Sequence, residues 1–178
     1  DDRDRQVLQS LLLHLLGDVK FDVTDVSTNG ATIILNTSTP EKIGFLMSHQ
    51  ICSDIGSRKL PIDAESDMRR RNTPIDARPG TYGSVKASFT NLTFAAEIVV
   101  TDLTVMSKQK RSFRSFEDAH PKARGWLRAY LPGYSKDGTG AVVRAAVGPW
   151  SHGAMLTAVL EKSGAKWVVK WYDVAFYL

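Results

Sequence analysis

The sequence predicts an α+β fold, with an antiparallel sheet that ends in a carboxyl-terminal β-meander and with amino-terminal helices covering one face of that sheet. Three observations predict it. Apolar residues recur at helical spacing in the first segment, the last forty residues contain three runs typical of strands, and Ser163-Gly164 joins the last two runs as a tight turn. Elements in this order favour helices packed against an antiparallel sheet.

Length and composition indicate an ordinary globular chain. Its 178 residues fit one domain, 1–178, with an internal boundary near 73–83 as the alternative, because prolines and glycines cluster there. The net charge of +4 is compatible with anionic partners without requiring them. No run approaches the roughly 18 apolar residues of a membrane span, so we expect a soluble protein without one.

The amino-terminal half is predicted to alternate helices and strands. Apolar residues at i, i+3 and i+4 spacing predict a helix over 4–16. Asn29-Gly30 lies between apolar runs at 19–26 and 31–37, which predicts a β-hairpin. Thr39-Pro40 has the hydroxyl cap and first-turn proline of a helix that we expect to continue to about residue 55.

The middle of the chain is predicted to hold a short helix, strands and a basic stretch. A helix is expected from near Pro61 to residue 71, and one or two strands are expected over 85–105. Aromatic content and the following Pro132-Gly133 favour a strand over 125–131, although the spacing there also suits a helix. This strand would extend the meander backwards.

The meander also carries a resemblance, in Tyr134-Ser-Lys-Asp-Gly-Thr-Gly-Ala-Val-Val, His152-Gly-Ala-Met-Leu-Thr-Ala-Val-Leu-Glu-Lys and Lys166-Trp-Val-Val. These stretches resemble endings seen in uncharacterised bacterial exported proteins, and they look like the closing strands of the cystatin-like/NTF2-like α+β fold. The resemblance implies a periplasmic or secreted bacterial protein, with a cytoplasmic location as the alternative. In the cone-shaped NTF2-like arrangement, Trp150, His152 and Trp171 would approach a ligand pocket on the concave sheet face.

His49 and Cys52 are the weak candidates for a metal site. Three residues apart on a helix, they lie on neighbouring turns and could supply two metal ligands, or a thiolate with its base. Two ligands do not make a site, and no second histidine or cysteine cluster lies nearby in the sequence. We therefore predict a buried structural cysteine, with no metal, no cofactor and no catalytic residue assigned.

Two charged segments suggest surfaces. Three acids at 63, 65 and 67 precede three arginines at 69–71, which indicates a solvated helix surface with ion pairs. The stretch 108–128 mixes basic and aromatic residues as single-strand nucleic-acid surfaces do, but it has no nucleic-acid-binding motif, and we predict no nucleic-acid partner.

The function predicted from these features is a non-enzymatic binding or accessory domain that takes a small molecule or a protein partner. Structural elements are well specified in the sequence and catalytic constellations are not. The alternative is a small-molecule binder or hydrolase-like enzyme whose pocket lies on the concave face of the sheet.

Overall fold

The computed structural model describes residues 1–18, 30–37, 61–72, 89, 91–103, 116, 118–148 and 154–176. This part of the chain forms two helices and a seven-stranded mixed sheet that is mostly antiparallel, in agreement with the predicted α+β class. In chain order the elements are α1 (Asp2–Gly17), β1 (Thr32–Asn36), α2 (Ile62–Arg71), β2 (Ile98–Thr101), β3 (Ala123–Ala129), β4 (Gly133–Tyr134), β5 (Gly140–Gly148), β6 (Ala154–Ser163) and β7 (Lys166–Phe176).

Helix α1 confirms the helix predicted over 4–16. The carboxylate of Asp1 accepts a hydrogen bond from the backbone amide of Asp4 at 2.9 Å and so caps the helix. One stripe of the helix is fully buried against the sheet: Val7, Leu8, Leu11, Leu12 and Leu15. Neither of the two described helices has the length and apolar character needed to cross a membrane.

The parallel part of the sheet is built around β1. This strand lies between β2 and β3 and runs parallel to both, with Ile34 opposite Val99 on one side and Trp126 on the other. The predicted hairpin would pair this strand with residues 19–26, which lie outside the described residues. Both edges of β1 are occupied by strands that come later in the chain, so its neighbours are set by tertiary packing.

The antiparallel part continues from β3 through β5 and β6 to β7. Residues 125–131, where the sequence left strand and helix open, fall mostly in β3, which pairs antiparallel with β5. Strands β6 and β7 are joined by a turn in which Gly164 has φ of 61°, a left-handed conformation that glycine adopts at little cost. The short β4 pairs with β5 beside β3.

Strand β5 is buried on both faces. Ala141, Val143 and Ala145 join the cluster beneath α1, while Val142 between them joins Ala64 of α2 in a second cluster. Because alternate residues of a strand point to opposite faces, α1 and α2 pack on opposite faces of the sheet. We expected helices on one face, but a strand with an almost continuous apolar run requires cover on both.

Candidate functional site

An open groove of about 1040 Å³ lies where the start of α1, one side of α2 and the β4–β5 turn meet. Charged side chains from all three elements line it. The groove is formed in part by Arg3 of α1, by Asp63, Asp67 and Arg70 of α2, by Tyr134 at the end of β4 and by Lys136 in the turn.

An ion pair between the buried Asp4 and the half-buried Arg71 lies at the wall of the groove. Both carboxylate oxygens of Asp4 accept hydrogen bonds from Arg71, at 2.8 and 3.0 Å, and the Tyr134 hydroxyl donates to Asp4 at 2.8 Å. Arg71 also donates to the carbonyl oxygen of Pro132. Asp4 is only 1% exposed, so its charge depends on these donors. The network ties the start of α1 to the end of α2 and to β4.

The pKa shifts in this network follow from burial and hydrogen bonding. Burial raises the pKa of Asp4, but the hydrogen bonds from Arg71, from the amino group of Asp1 and from Tyr134 outweigh it, and the net pKa is below the ordinary value. The hydrogen bond to Asp4 raises the pKa of Arg71. Burial, followed by the hydrogen bond to Asp4, raises the pKa of Tyr134. At neutral pH the carboxylate is therefore ionised, and the phenol keeps its proton.

Two further carboxylates attach α2 to the β4–β5 turn. Asp63 accepts hydrogen bonds from the backbone amides of Ala64 and Lys136, both at 3.0 Å. Asp67 accepts from the backbone amide of Tyr134 at 3.0 Å and from the guanidinium of Arg70. The backbone hydrogen bond from Lys136 is the main reason that the pKa of Asp63 is lowered.

α2 lies directly on the backbone of β4. A Cβ atom placed on Gly133 would lie 2.1 Å from the carbonyl oxygen of Ala64 and 2.3 Å from the amide nitrogen of Met68. Asn72, just beyond the helix, exchanges two hydrogen bonds with the backbone of Leu131, at 2.8 and 2.9 Å. These contacts hold α2 in one orientation and so determine which of its side chains face the groove.

Arg3 lies over the ring of Tyr134, which lines the groove. Its guanidinium carbon is 3.6 Å from the ring centroid of Tyr134 and 5.8 Å from that of Trp167. One nitrogen donates to the carbonyl oxygen of Gly138 at 3.2 Å. Stacking of this kind holds an arginine in place while it leaves several of its N–H groups available.

Of the three residues predicted to approach a sheet-face pocket, Trp171 is the one in the described part of the chain. It is half-buried on the face of the sheet that α2 covers, where it packs against a cluster formed in part by Ala64, Met68 and Val159. Trp150 and His152 lie outside the described residues, as do His49 and Cys52. Within the described residues, no group of three or more metal-binding side chains is present.

The sheet face that α2 covers also carries two arginines, Arg128 and Arg144. Arg144 is 1% exposed, and it lies two residues along β5 from Ala146, the partner of Arg128 on β3. Burial lowers the pKa of Arg128. In the sequence, Arg128 belongs to the basic segment 108–128 that suggested a surface, whereas the structure places it on the same sheet face as the buried Arg144.

The residues of the groove were not identified from the sequence. The acids and arginines at 63–71 were interpreted as a solvated surface, and the local pairs Glu65–Arg69 and Asp67–Arg70 confirm that in part. The partner of Arg71, however, is 67 residues away on α1. No sequence signal joins positions so far apart. The spacing of Asp63 and Asp67 by one helical turn is a local signal that could have placed these two acids on one face of the helix.

Comparisons of the chain with models of protein families, with curated proteins and with solved structures found no match.

Proposed function

We propose that this protein is a non-enzymatic binding domain that holds a polar, peptide-sized ligand in the groove between α1, α2 and the β4–β5 turn. The single observation that carries the proposal is the groove itself, whose walls come from three elements tied together by buried and half-buried polar contacts. Walls fixed before the ligand arrives reduce the ordering cost of binding.

The protonation states at the groove support binding over proton-transfer chemistry. Asp4 and Asp63 have lowered pKa values and are ionised at neutral pH, so neither has a proton to donate. Tyr134 keeps its proton and directs it at Asp4. A general acid or base needs a pKa close to the working pH, and these shifts move each group away from neutrality.

The experiment uses three capped pentapeptides: acetyl-Glu-Glu-Leu-Glu-Glu-amide, its glutamine counterpart and its lysine counterpart. We expect at least one of them to shift the backbone amide resonances of Ser66, Tyr134 and Lys136 in ¹H–¹⁵N spectra. Ser66→Trp, which places a bulky side chain on an exposed position in the groove, should abolish the shifts.

Ser163→Trp, at the exposed β6–β7 turn outside the groove, is the matched control and should leave the shifts unchanged. The proposal is wrong if none of the three peptides moves the groove resonances, or if Ser66→Trp reduces binding no more than Ser163→Trp does.

The pocket on the concave sheet face, with Trp150, His152 and Trp171, stays a prediction of the alternative function. The cystatin-like/NTF2-like resemblance and a periplasmic or secreted location also stay predictions. The packing of Trp171 against the cluster beneath α2 favours the groove over the sheet face as the binding site.

A further inference from the structure

The acids of the groove are already engaged by the protein. Each carboxylate oxygen of Asp63 accepts a backbone amide, and those of Asp67 accept a backbone amide and the Arg70 guanidinium. One oxygen of Asp1 caps α1. These carboxylates hold α1, α2 and the β4–β5 turn in place, which reduces their capacity to bind a cationic ligand.

The cations of the groove retain hydrogen-bond donors. In the described part of the chain, Arg70 uses Nε and Nη2 on Asp67 and keeps Nη1, and its side chain is 75% exposed. Arg3 uses Nη2, and its Nε and Nη1 make no hydrogen bond to a residue that the structure describes. The exposed Lys136 contributes its backbone amide to Asp63, and its ammonium group makes no hydrogen bond to a described residue. Arg3, Arg70 and Lys136 therefore offer unused donors to a ligand.

The shape of the groove fits an extended chain better than a single small anion. It is open to solvent, whereas a small-molecule site encloses most of its ligand. Arg3, Arg70 and Lys136 belong to three different elements and are presented separately, while the fourth cation of the lining, Arg71, is paired with Asp4. At the rim, the side chain of Ile62 is 80% exposed and offers an apolar contact beside the charges.

We infer that the ligand is an acidic peptide segment of a partner protein, whose carboxylates bind Arg3, Arg70 and Lys136 while an aliphatic side chain contacts Ile62. The inference rests on the proposed binding function and adds the charge and class of the ligand. Charge complementarity carries it, because the unused groups of the groove are cationic donors.

The test compares affinities of the same three peptides, with citrate and inorganic phosphate as small anions. We expect the glutamate peptide to bind most tightly and to weaken as ionic strength rises, since exposed charge pairs are screened by salt. Lys136→Gln and Arg70→Gln should each reduce its affinity by about two- to fivefold, the range expected for one exposed charge contact.

Two controls match these variants. Arg5→Gln removes an arginine that pairs with an acid three residues earlier on a helix, as Arg70 does, and Lys166→Gln removes an exposed lysine on β7. Neither residue lines the groove, and we expect affinities within about 1.5-fold of the unmodified protein. A charge outside the groove is screened by salt and contributes little to the binding free energy.

The outcomes separate this inference from the binding function. If the glutamine or lysine peptide binds in the groove as tightly as the glutamate peptide, the acidic ligand is wrong and the binding function stands. If citrate or phosphate binds as tightly as the peptide, the site takes small anions and the peptide assignment is wrong. If no peptide moves the groove resonances, both proposals fail.

Discussion

Asp4 is buried near the amino-terminal end of α1, and its charge is balanced by Arg71 at the last residue of α2. The side chain of Asp4 is 2% exposed and that of Arg71 is 18% exposed. An ion pair of this kind contributes little net stability when intact, but removing one partner leaves a charge that water cannot reach. The pair therefore specifies how α1, α2 and β4 fit together.

We expect Arg71→Met to lower the free energy of unfolding by about 3 kcal/mol, because the buried Asp4 carboxylate loses its arginine partner and keeps only the Asp1 amino group and the Tyr134 hydroxyl as donors. Arg70→Met, at the adjacent and 75% exposed arginine, should cost less than about 1 kcal/mol. Urea unfolding of the two variants measures both values. Similar losses in the two variants would contradict the role assigned to Arg71.

The pH dependence of stability should report the same carboxylate. The folded pKa of Asp4 is lowered, so its contribution is present above its unfolded pKa of about 4 and is lost as the pH falls through the folded value. Asp4→Asn should therefore destabilise the protein at neutral pH, and its difference from the unmodified protein should shrink below about pH 4. Urea unfolding across this range measures the difference, and a gap that stays constant would refute it.

At the scale of elements, the position of α2 is decided by what lies beneath it. The side chains of Ala64 and Met68 are fully buried, and the backbone of the helix contacts β4 at Gly133. Hydrogen bonds between Asp63, Asp67 and Asn72 and backbone amides in and beside β4 then hold the helix in place. The side of α2 that faces away from Ala64 and Met68 borders the groove. Packing beneath the helix and ligand binding should therefore be coupled.

Gly133→Ala should move α2 away from β4. The added methyl group would meet backbone atoms at 2.1 and 2.3 Å, which cannot rotate aside, and we expect a loss of about 1–3 kcal/mol in unfolding free energy. Peptide binding in the groove should weaken with it.

Gly17→Ala at the end of α1 is the control, since nothing lies within 4 Å of the added Cβ atom. Alanine has the higher helix propensity, so we expect a neutral or slightly stabilising effect. Thermal unfolding of both variants makes the comparison. A Gly133→Ala protein as stable as Gly17→Ala would show that the helix is free to shift.

At the scale of the whole molecule, the sheet has a broad antiparallel part and a small parallel part. β6 is paired along its length with β5 on one edge and β7 on the other. β2 has four residues, pairs with β1 in the described part of the chain, and has Val99 40% exposed. Stability should therefore decrease from the centre of the antiparallel part toward β2.

Hydrogen exchange tests this order. We expect backbone amides in the centre of β6, such as Leu156 and Ala158, to exchange at least about tenfold more slowly than those of Val99 and Val100 in β2, because opening a short edge strand exposes less buried surface. Mass spectrometry of peptides from the two strands measures the rates. Equal protection would indicate that the sheet opens as one unit.

Local patterns in the sequence determined α1 and the turn between β6 and β7. The spacing of Val7, Leu8, Leu11 and Leu15 is sufficient to predict α1 and its buried stripe, and Ser163-Gly164 is sufficient to predict the last turn. These features depend on residues within a few positions of one another, where backbone geometry and side-chain direction are fixed by the element itself.

The tertiary structure alone decided which distant elements meet. The parallel placement of β1 between β2 and β3, the cover of both sheet faces and the contact of Asp4 with Arg71 all join residues far apart in the chain. From the sequence, Asp4 suited a helix amino terminus and Arg71 a solvated surface, because each also satisfies its local helix-charge preference. The two residues pair because Asp4 is buried. A charge removed from water needs a partner, and tertiary packing places Arg71 within hydrogen-bond distance of it.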